Sequence, residues 1–170
     1  MKERIAVLVA TWFGSGMIRP IVLNGMAGTY GSIAALPLCF LALGMGPVGY
    51  GICLLFVYVI GAWSIPFAEV ALGARKDWKG NVKTHDQNQI VIDEVVGMLV
   101  TCLPLLSIRS VSLWISLPLG CALFRVFDIM KPYPARHFDA LGTADGVMLD
   151  DVIAGLYAAL VLMGLLVILK

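Results

Sequence analysis

Charge is what this sequence has least of. Asp, Glu, Lys and Arg make up 14% of its 170 residues, while 60% are hydrophobic; an ordinary soluble domain carries roughly 25% charged residues. That balance excludes a cytosolic globule, a disordered chain and a collagen-like repeat. The formal net charge of +1 offers no dense basic face, so nucleic acid is not an expected partner. Cys39, Cys53, Cys102 and Cys121 fall inside apolar runs, without CxxC or Cys/His ligand spacing, and read as small packing groups. The two histidines, His85 and His137, sit in polar connecting segments where solvated side chains are the default. No repeat of about 20–50 residues is visible, so a solenoid or inverted-repeat transporter lacks its simplest signature.

What the sequence has instead is a series of long apolar runs. A membrane-crossing helix needs about 20 mostly apolar residues, with a range of roughly 17–25. Five candidates run at about Gly31–Leu43, Val48–Leu72, Ile90–Ile108, Val111–Met130 and Gly146–Leu169. The first is short unless it starts within the glycine-rich stretch before it. Ile5–Ile18 is too short to span and reads as an interfacial or re-entrant helix. Its charged-then-apolar layout is that of a signal peptide, but no small-residue cleavage site follows, so it is expected in the mature chain. The expectation is one all-α domain over residues 1–170, a polytopic membrane bundle of about five transmembrane helices plus the short N-terminal helix.

Charge in the connecting segments orients this bundle. The Gly73–Gln89 loop carries Arg75, Lys76, Lys79 and Lys83 beside Asp77 and Asp86, and the Lys131–Asp145 loop carries Lys131 and Arg136. Two spans separate these loops, which puts them on one side. The connections around Gly44–Pro47 and Ser107–Ser110 hold only Arg109. By the positive-inside rule the charged loops face the cytoplasm, with Arg19 before the first span on the same side. Trp63, Trp78, Trp114 and Tyr133 suit interfacial belts better than a cofactor site.

Acidic residues inside apolar runs are the informative feature, because each costs about 3 kcal/mol or more in hydrocarbon. Asp93 and Glu94 lie about one turn into their run, Asp128 at the far end of the next, and Asp150 and Asp151 about one turn into the last. The alternating topology brings all five to the cytoplasmic end. Asp93 is followed by Gly97, Asp150 by Ala154 and Asp151 by Gly155, one turn onward on the same face. Small residues there let helix backbones approach closely. Ion pairing with Arg125, Lys131 or Arg136 would explain any single acid. Five together, four of them in adjacent pairs on two helices, point to a site, and such a cluster needs compensation by a hard divalent cation such as Mg²⁺.

Arg125, Lys131 and Arg136, close to these acids, fit the clamp that holds a phosphoryl group. Pro132 and Pro134 end the helix that bears Arg125 and stiffen the turn toward Arg136. The GTYGS stretch, Gly28–Ser32, opens a helix on the same side, so its backbone N–H groups can meet an anion. Thr29 and Ser32 are candidate substrate contacts or plain N-caps. Glu69 is a further candidate ligand or an interfacial acid. His137, next to Arg136, is a candidate for protonating a leaving group.

Four segments carry a family resemblance: GTYGSIAALPL (Gly28–Leu38), VIDEVVGM (Val91–Met98), FRVFDIMKPYPARHFD (Phe124–Asp139) and GVMLDDVIAGLYAALVL (Gly146–Leu162). In order and separation they closely resemble the bacterial phosphatidylglycerophosphatase A family, and the FDxxKPxPxRxxD pattern beside DExxG and DDxxAG is specific. The resemblance implies a Mg²⁺-dependent lipid phosphatase of the bacterial cytoplasmic membrane, converting phosphatidylglycerophosphate to phosphatidylglycerol and inorganic phosphate. It implies Asp93, Glu94, Asp128, Asp150 and Asp151 as the metal cluster, and Arg125, Lys131 and Arg136 as phosphate contacts. Ala27 stands where the family usually has proline, Asn24–Gly25 falls in a longer approach loop, and LGTADG (Leu141–Gly146) replaces a more glycine-rich stretch. A carboxylate such as Glu94 or Asp151 acting as base on water, and a phospho-aspartate route, both remain open.

Other lipid enzymes fit less well. The histidine-dependent phosphatase motifs are missing, and Asp145–Gly146 is not followed by the arginine that a CDP-alcohol phosphotransferase pattern requires. The alternative from a different class is a cation- or proton-coupled transporter, which predicts acids near the bilayer midplane and at both helix ends.

Overall fold

A computed structural model describes residues 1–18, 26–76, 82–85 and 87–169. Arg19, Asp77, Trp78, Lys79 and Asp86, invoked above for loop charge and interfacial placement, and Asn24 and Gly25 of the longer approach loop lie outside the described residues. The chain folds into α1 (Lys2–Ala10), α2 (Ala27–Gly44), α3 (Gly46–Leu72), α4 (Ile92–Thr101), α5 (Leu113–Met130), α6 (Ala135–Asp139) and α7 (Ala144–Ile168). Among the described residues the β structure is a two-residue antiparallel ladder, Arg75 opposite Lys83 and Lys76 opposite Val82.

Four helices, α2, α3, α5 and α7, are long and apolar enough to cross a membrane. The first does start within the glycine-rich stretch, which lengthens it to 18 residues. The run expected as a third span, Ile90–Ile108, takes a different form. It builds the ten-residue α4 and then a 3₁₀ turn over Leu103–Leu106 that contains Pro104. Ten residues rise about 15 Å, half of a bilayer's hydrocarbon core. Nine of those ten are buried, so α4 is the hub of the bundle and presents no lipid-facing stripe. Beyond its acidic first turn, so apolar a run is equally suited to lipid or to a protein core, and here the core takes it.

A helix that stops inside a bundle leaves carbonyls without partners, which apolar surroundings do not tolerate. Tyr50 on α3, fully buried, donates its hydroxyl to Leu99 O at 2.5 Å. Thr101 Oγ1 donates to Gly97 O at 2.8 Å. At the same far end Arg109 Nη2 donates to Leu43 O at 2.9 Å, closing the C-terminus of α2. At the other end the buried Gln87 amide nitrogen reaches the carbonyls of Glu69, Gly73 and Thr84 at 3.2, 3.1 and 2.9 Å. Gln87 thereby fastens the loop that enters α4 to the end of α3.

α4 packs most extensively on α7, and also on α2, α3 and α5. The α4–α7 approach is set by glycines. A Cβ on Gly155 would stand 2.5 Å from Gly97 O, and one on Gly97 would stand 2.3 Å from the Phe124 ring and 2.9 Å from Asp151 O. The nine-residue α1 is too short to span, packs on α3, and ends with Ala10 O accepting from Val91 N at 2.9 Å. Cys39, Cys102 and Cys121 are buried free thiols, and Cys53 is partly buried.

Backbone contact at Gly155 predicts a sharp contrast between glycines of α7. Gly155→Val is expected to destabilise the detergent-solubilised protein by about 3 kcal/mol, the upper range of overpacking. Gly164→Ala, where a Cβ meets nothing within 4 Å, should be neutral or slightly stabilising. Thermal unfolding of the two variants beside the parent checks this.

Candidate active site

The start of α2, the start of α4, the end of α5 and the first turns of α7 meet at one end of the bundle, around a cleft of about 560 Å³. Its described lining includes six carboxylates, Asp93, Glu94, Asp128, Asp139, Asp150 and Asp151, and two cations, Arg125 and Lys131. Asp93 and Glu94 occupy the first turn of α4, where the positive end of the helix favours negative charge. Asp150 and Asp151 stand two turns into α7, whose N-terminus is capped by Thr143 accepting from Gly146 N at 3.1 Å.

The acids divide by what they face. Asp128 Oδ2 lies 2.6 Å from Arg125 Nη1, the i, i+3 pair on the last turns of α5, and Glu94 Oε1 lies 3.8 Å from the same nitrogen. Lys131 Nζ lies 2.6 Å from Asp150 Oδ2 and is also paired with Asp139. Asp150 Oδ1 accepts from Asp151 N at 3.0 Å. Asp93, Glu94 and Asp151 each turn a carboxylate oxygen to a common centre, all within 4.8 Å of one another. Asp151 Oδ2 is buried with no hydrogen-bond donor in reach among the described residues. Hard oxygen donors converging in a buried place suit a divalent cation such as Mg²⁺, and an uncompensated buried carboxylate is otherwise expensive.

Local backbone explains how the cations are aimed. Lys131 ends α5 in the left-handed conformation (φ 43°, ψ 61°), which costs a non-glycine residue about 1–2 kcal/mol. The turn carries its ammonium back toward α7 instead of out into solvent. Burial by itself lowers an ammonium's pKa; Asp150 and then Asp139 more than reverse that, holding Lys131 above the ordinary lysine range and therefore charged. The segment after Lys131 is braced on α7, where Tyr157 Oη donates to Tyr133 O at 2.9 Å. Phe127 stacks on the Tyr157 ring at 5.6 Å.

Gly28 is glycine because the site touches it: a Cβ there would stand 2.2 Å from Glu94 Oε1 and 2.7 Å from Arg125 Nη1. Met26, the N-cap of α2, makes no side-chain cap, and Met26, Ala27, Gly28 and Thr29 line the cleft. The first-turn N–H groups of α2 therefore open onto the same space as Arg125.

All five acids singled out in the sequence, with Arg125, Lys131 and Thr29, line this cleft. Ser32 does not: it is buried, and its hydroxyl donates to Gly28 O at 2.8 Å within α2. Neither does Arg136, which α6 leaves exposed, nor its exposed neighbour His137. Glu69 belongs elsewhere, with its Oε2 3.2 Å from His85 Nδ1. Sequence reading passed over Asp139 and Asn88 as site residues, although both line the cleft. Asp139 closes the FDxxKPxPxRxxD pattern, which was the available signal; Asn88 had none. The acids cluster at a single end of the bundle, the opposite of the distribution that transport predicts, and nothing else supports the transporter alternative.

Known proteins point the same way. A family-level profile described as phosphatidylglycerophosphatase A matches residues 8–166. The chain is 36% identical over 158 residues to phosphatidylglycerophosphatase A of Haemophilus influenzae, covering 91% of this chain and 84% of that one. It is 32% identical over 153 residues to phosphatidylglycerophosphatase A of Escherichia coli K12, covering 89% and 78%. A Bacteroides thetaiotaomicron protein named provisionally as a phosphatidylinositol-3-phosphatase is 30% identical over 156 residues, covering 91% and 89%. No solved structure matches. With the family profile spanning nearly the whole chain and its acidic motifs gathered in one cleft, the chain belongs to the phosphatidylglycerophosphatase A family.

Proposed function

We propose that the cleft hydrolyses the terminal phosphomonoester of phosphatidylglycerophosphate, giving phosphatidylglycerol and inorganic phosphate, with Mg²⁺ held by Asp93, Glu94 and Asp151. The observation that carries this reading is the pairing, in one cleft, of converging carboxylates with two cations and an open helix N-terminus. The names of the Haemophilus and Escherichia relatives supply the glycerophosphate headgroup. The Bacteroides relative's name gives a different headgroup but the same bond, a lipid phosphomonoester.

Each group then has a task. Arg125, held at 2.6 Å by Asp128, presents its guanidinium to the phosphate oxygens, a rigid fork that matches their geometry. Lys131 and the first N–H groups of α2 meet the remaining oxygens as charge shifts in the transition state. Bound Mg²⁺ supplies Lewis-acid neutralisation of the phosphate and a lowered pKa for water. Glu94 lies between the converging carboxylates and Arg125, so the carboxylate oxygen it does not turn to the metal is placed to take a proton from the attacking water. Water adds to phosphorus, the bond from phosphorus to the glycerol oxygen breaks, and that oxygen receives the proton. The lipid's acyl chains stay with the bilayer around α2 and α5.

The cytoplasmic face of a bacterial inner membrane is the proposed setting. The described loop segments bearing Arg75, Lys76, Lys83, Lys131 and Arg136 emerge at the cleft end, while the described opposite connections carry only Arg109, the asymmetry expected of a cytoplasmic cleft.

Detergent-purified protein is expected to release inorganic phosphate from phosphatidylglycerophosphate with Mg²⁺ and to stop with chelator. Asp128→Asn, which loosens Arg125, should reduce turnover by about 100-fold while the fold persists. A well-folded parent that releases no phosphate with Mg²⁺ present overturns the substrate reading. Metal binding has its own measurement. In chelator, Asp151→Asn should stabilise the protein by about 1–2 kcal/mol by removing one buried charge from the cluster. Mg²⁺ should raise the melting temperature of the parent and leave that of Asp151→Asn unmoved; equal rises in both would remove Asp151 from the metal set.

A further inference from the structure

Lys131 has two carboxylate partners that differ in kind. Asp150 has a side chain only 6% exposed, and its other oxygen already takes the Asp151 amide at 3.0 Å. Asp139 is 41% exposed, ends the short α6, and among the described residues has Lys131 as its ionic partner. A phosphomonoester arriving as a dianion enters a cleft whose described lining carries six carboxylates against two cations. Lys131 has three N–H donors, two of them given to these carboxylates, so a phosphate that takes more than one must displace a carboxylate. Displacing Asp150 would take the ammonium from a nearly buried carboxylate that water cannot readily hydrate, which is costly. Asp139 can be released at little cost, because water hydrates a half-exposed carboxylate in place of the ammonium.

We propose that Asp139 is a positioning residue acting through Lys131. It holds the ammonium beside Asp150 before substrate arrives, yields it to the incoming phosphate, and reclaims it as inorganic phosphate leaves. This rests on the phosphomonoesterase reading of the cleft and adds to it a device for product release. Asp139 and phosphate compete for one ammonium, so the wild-type aspartate weakens phosphate binding and hastens its departure. No bond is made or broken in the exchange.

The test compares Asp139→Asn with the parent, using inorganic phosphate as the probe. The variant is expected to be inhibited by phosphate at about fivefold lower concentration, the upper size of a partly exposed charge contact. KM should fall with it, and kcat should fall because release becomes slow. Asp139→Glu, which restores the carboxylate, should return all three toward parental values. A residue that merely braced α6 would leave phosphate inhibition unchanged or weaken it, and either result overturns the proposal. A readout free of turnover is the rise in melting temperature with phosphate, which should begin at lower phosphate concentration in Asp139→Asn. If that variant fails to fold, Asp139→Ser carries the same expectation. An active parent whose variants show unaltered phosphate dependence sinks this inference alone. A parent inactive on phosphatidylglycerophosphate, yet protected by phosphate more readily in the variant, sinks the substrate reading and sustains this one.

Discussion

The contact on which the rest of the molecule depends is backbone against backbone, where Gly97 of α4 meets Gly155 of α7. One turn before each glycine stands an acid, Asp93 on α4 and Asp151 on α7, so the closeness of the glycines sets the closeness of the carboxylates. A side chain at either position would wedge the helices apart and separate oxygens that now lie within 4.8 Å of one another. Phe124, packed against Gly97 from α5, brings the neighbouring Arg125 to the same place. Fold and site are therefore one construction, in which small residues below fix charged residues above.

Concentrating six carboxylates at the end of an apolar bundle works against stability, and the structure shows how that is divided. Two acids lean on Arg125 and two on Lys131, each cation bridging from α5 to a neighbouring element. Asp151 is left with an oxygen that no described donor satisfies. Ion pairs of this depth are poor sources of stability, since desolvation offsets most of their attraction. They hold geometry: guanidinium and ammonium are kept on one wall and oxygen donors converge on another. A divalent cation would reduce the negative charge that the cleft's own side chains leave in excess.

α4 shows how much can turn on a half-length element. It carries the DExxG motif, touches every long helix, and begins where the Gln87 amide and the Ala10 carbonyl fix the incoming chain. Because it ends within the bundle, the Leu99 carbonyl in its last turn draws on Tyr50, a polar side chain otherwise out of place in an apolar core. The site end is thus held rigid from beneath and, through Gln87 and α1, from the side.

The sequence by itself determined the membrane class, the helix order, the common end of the acids and the pairing of acids with small residues one turn on. Those follow from hydropathy, helical periodicity and alternation of direction, which are local or additive properties. It also carried the family resemblance, through motifs whose spacing survives without structure. Tertiary structure alone decided that Ile90–Ile108 yields a buried hub, because an apolar run looks the same whether lipid or protein surrounds it. It alone separated Arg125 and Lys131, turned inward, from Arg136, left on the exposed face of α6, because a turn through Lys131 redirects the chain. It enlisted Asp139 and turned Ser32 back on its own helix for the same reason: where a polar side chain finds its partner depends on which backbones come close, and that is settled by packing at Gly28, Gly97 and Gly155.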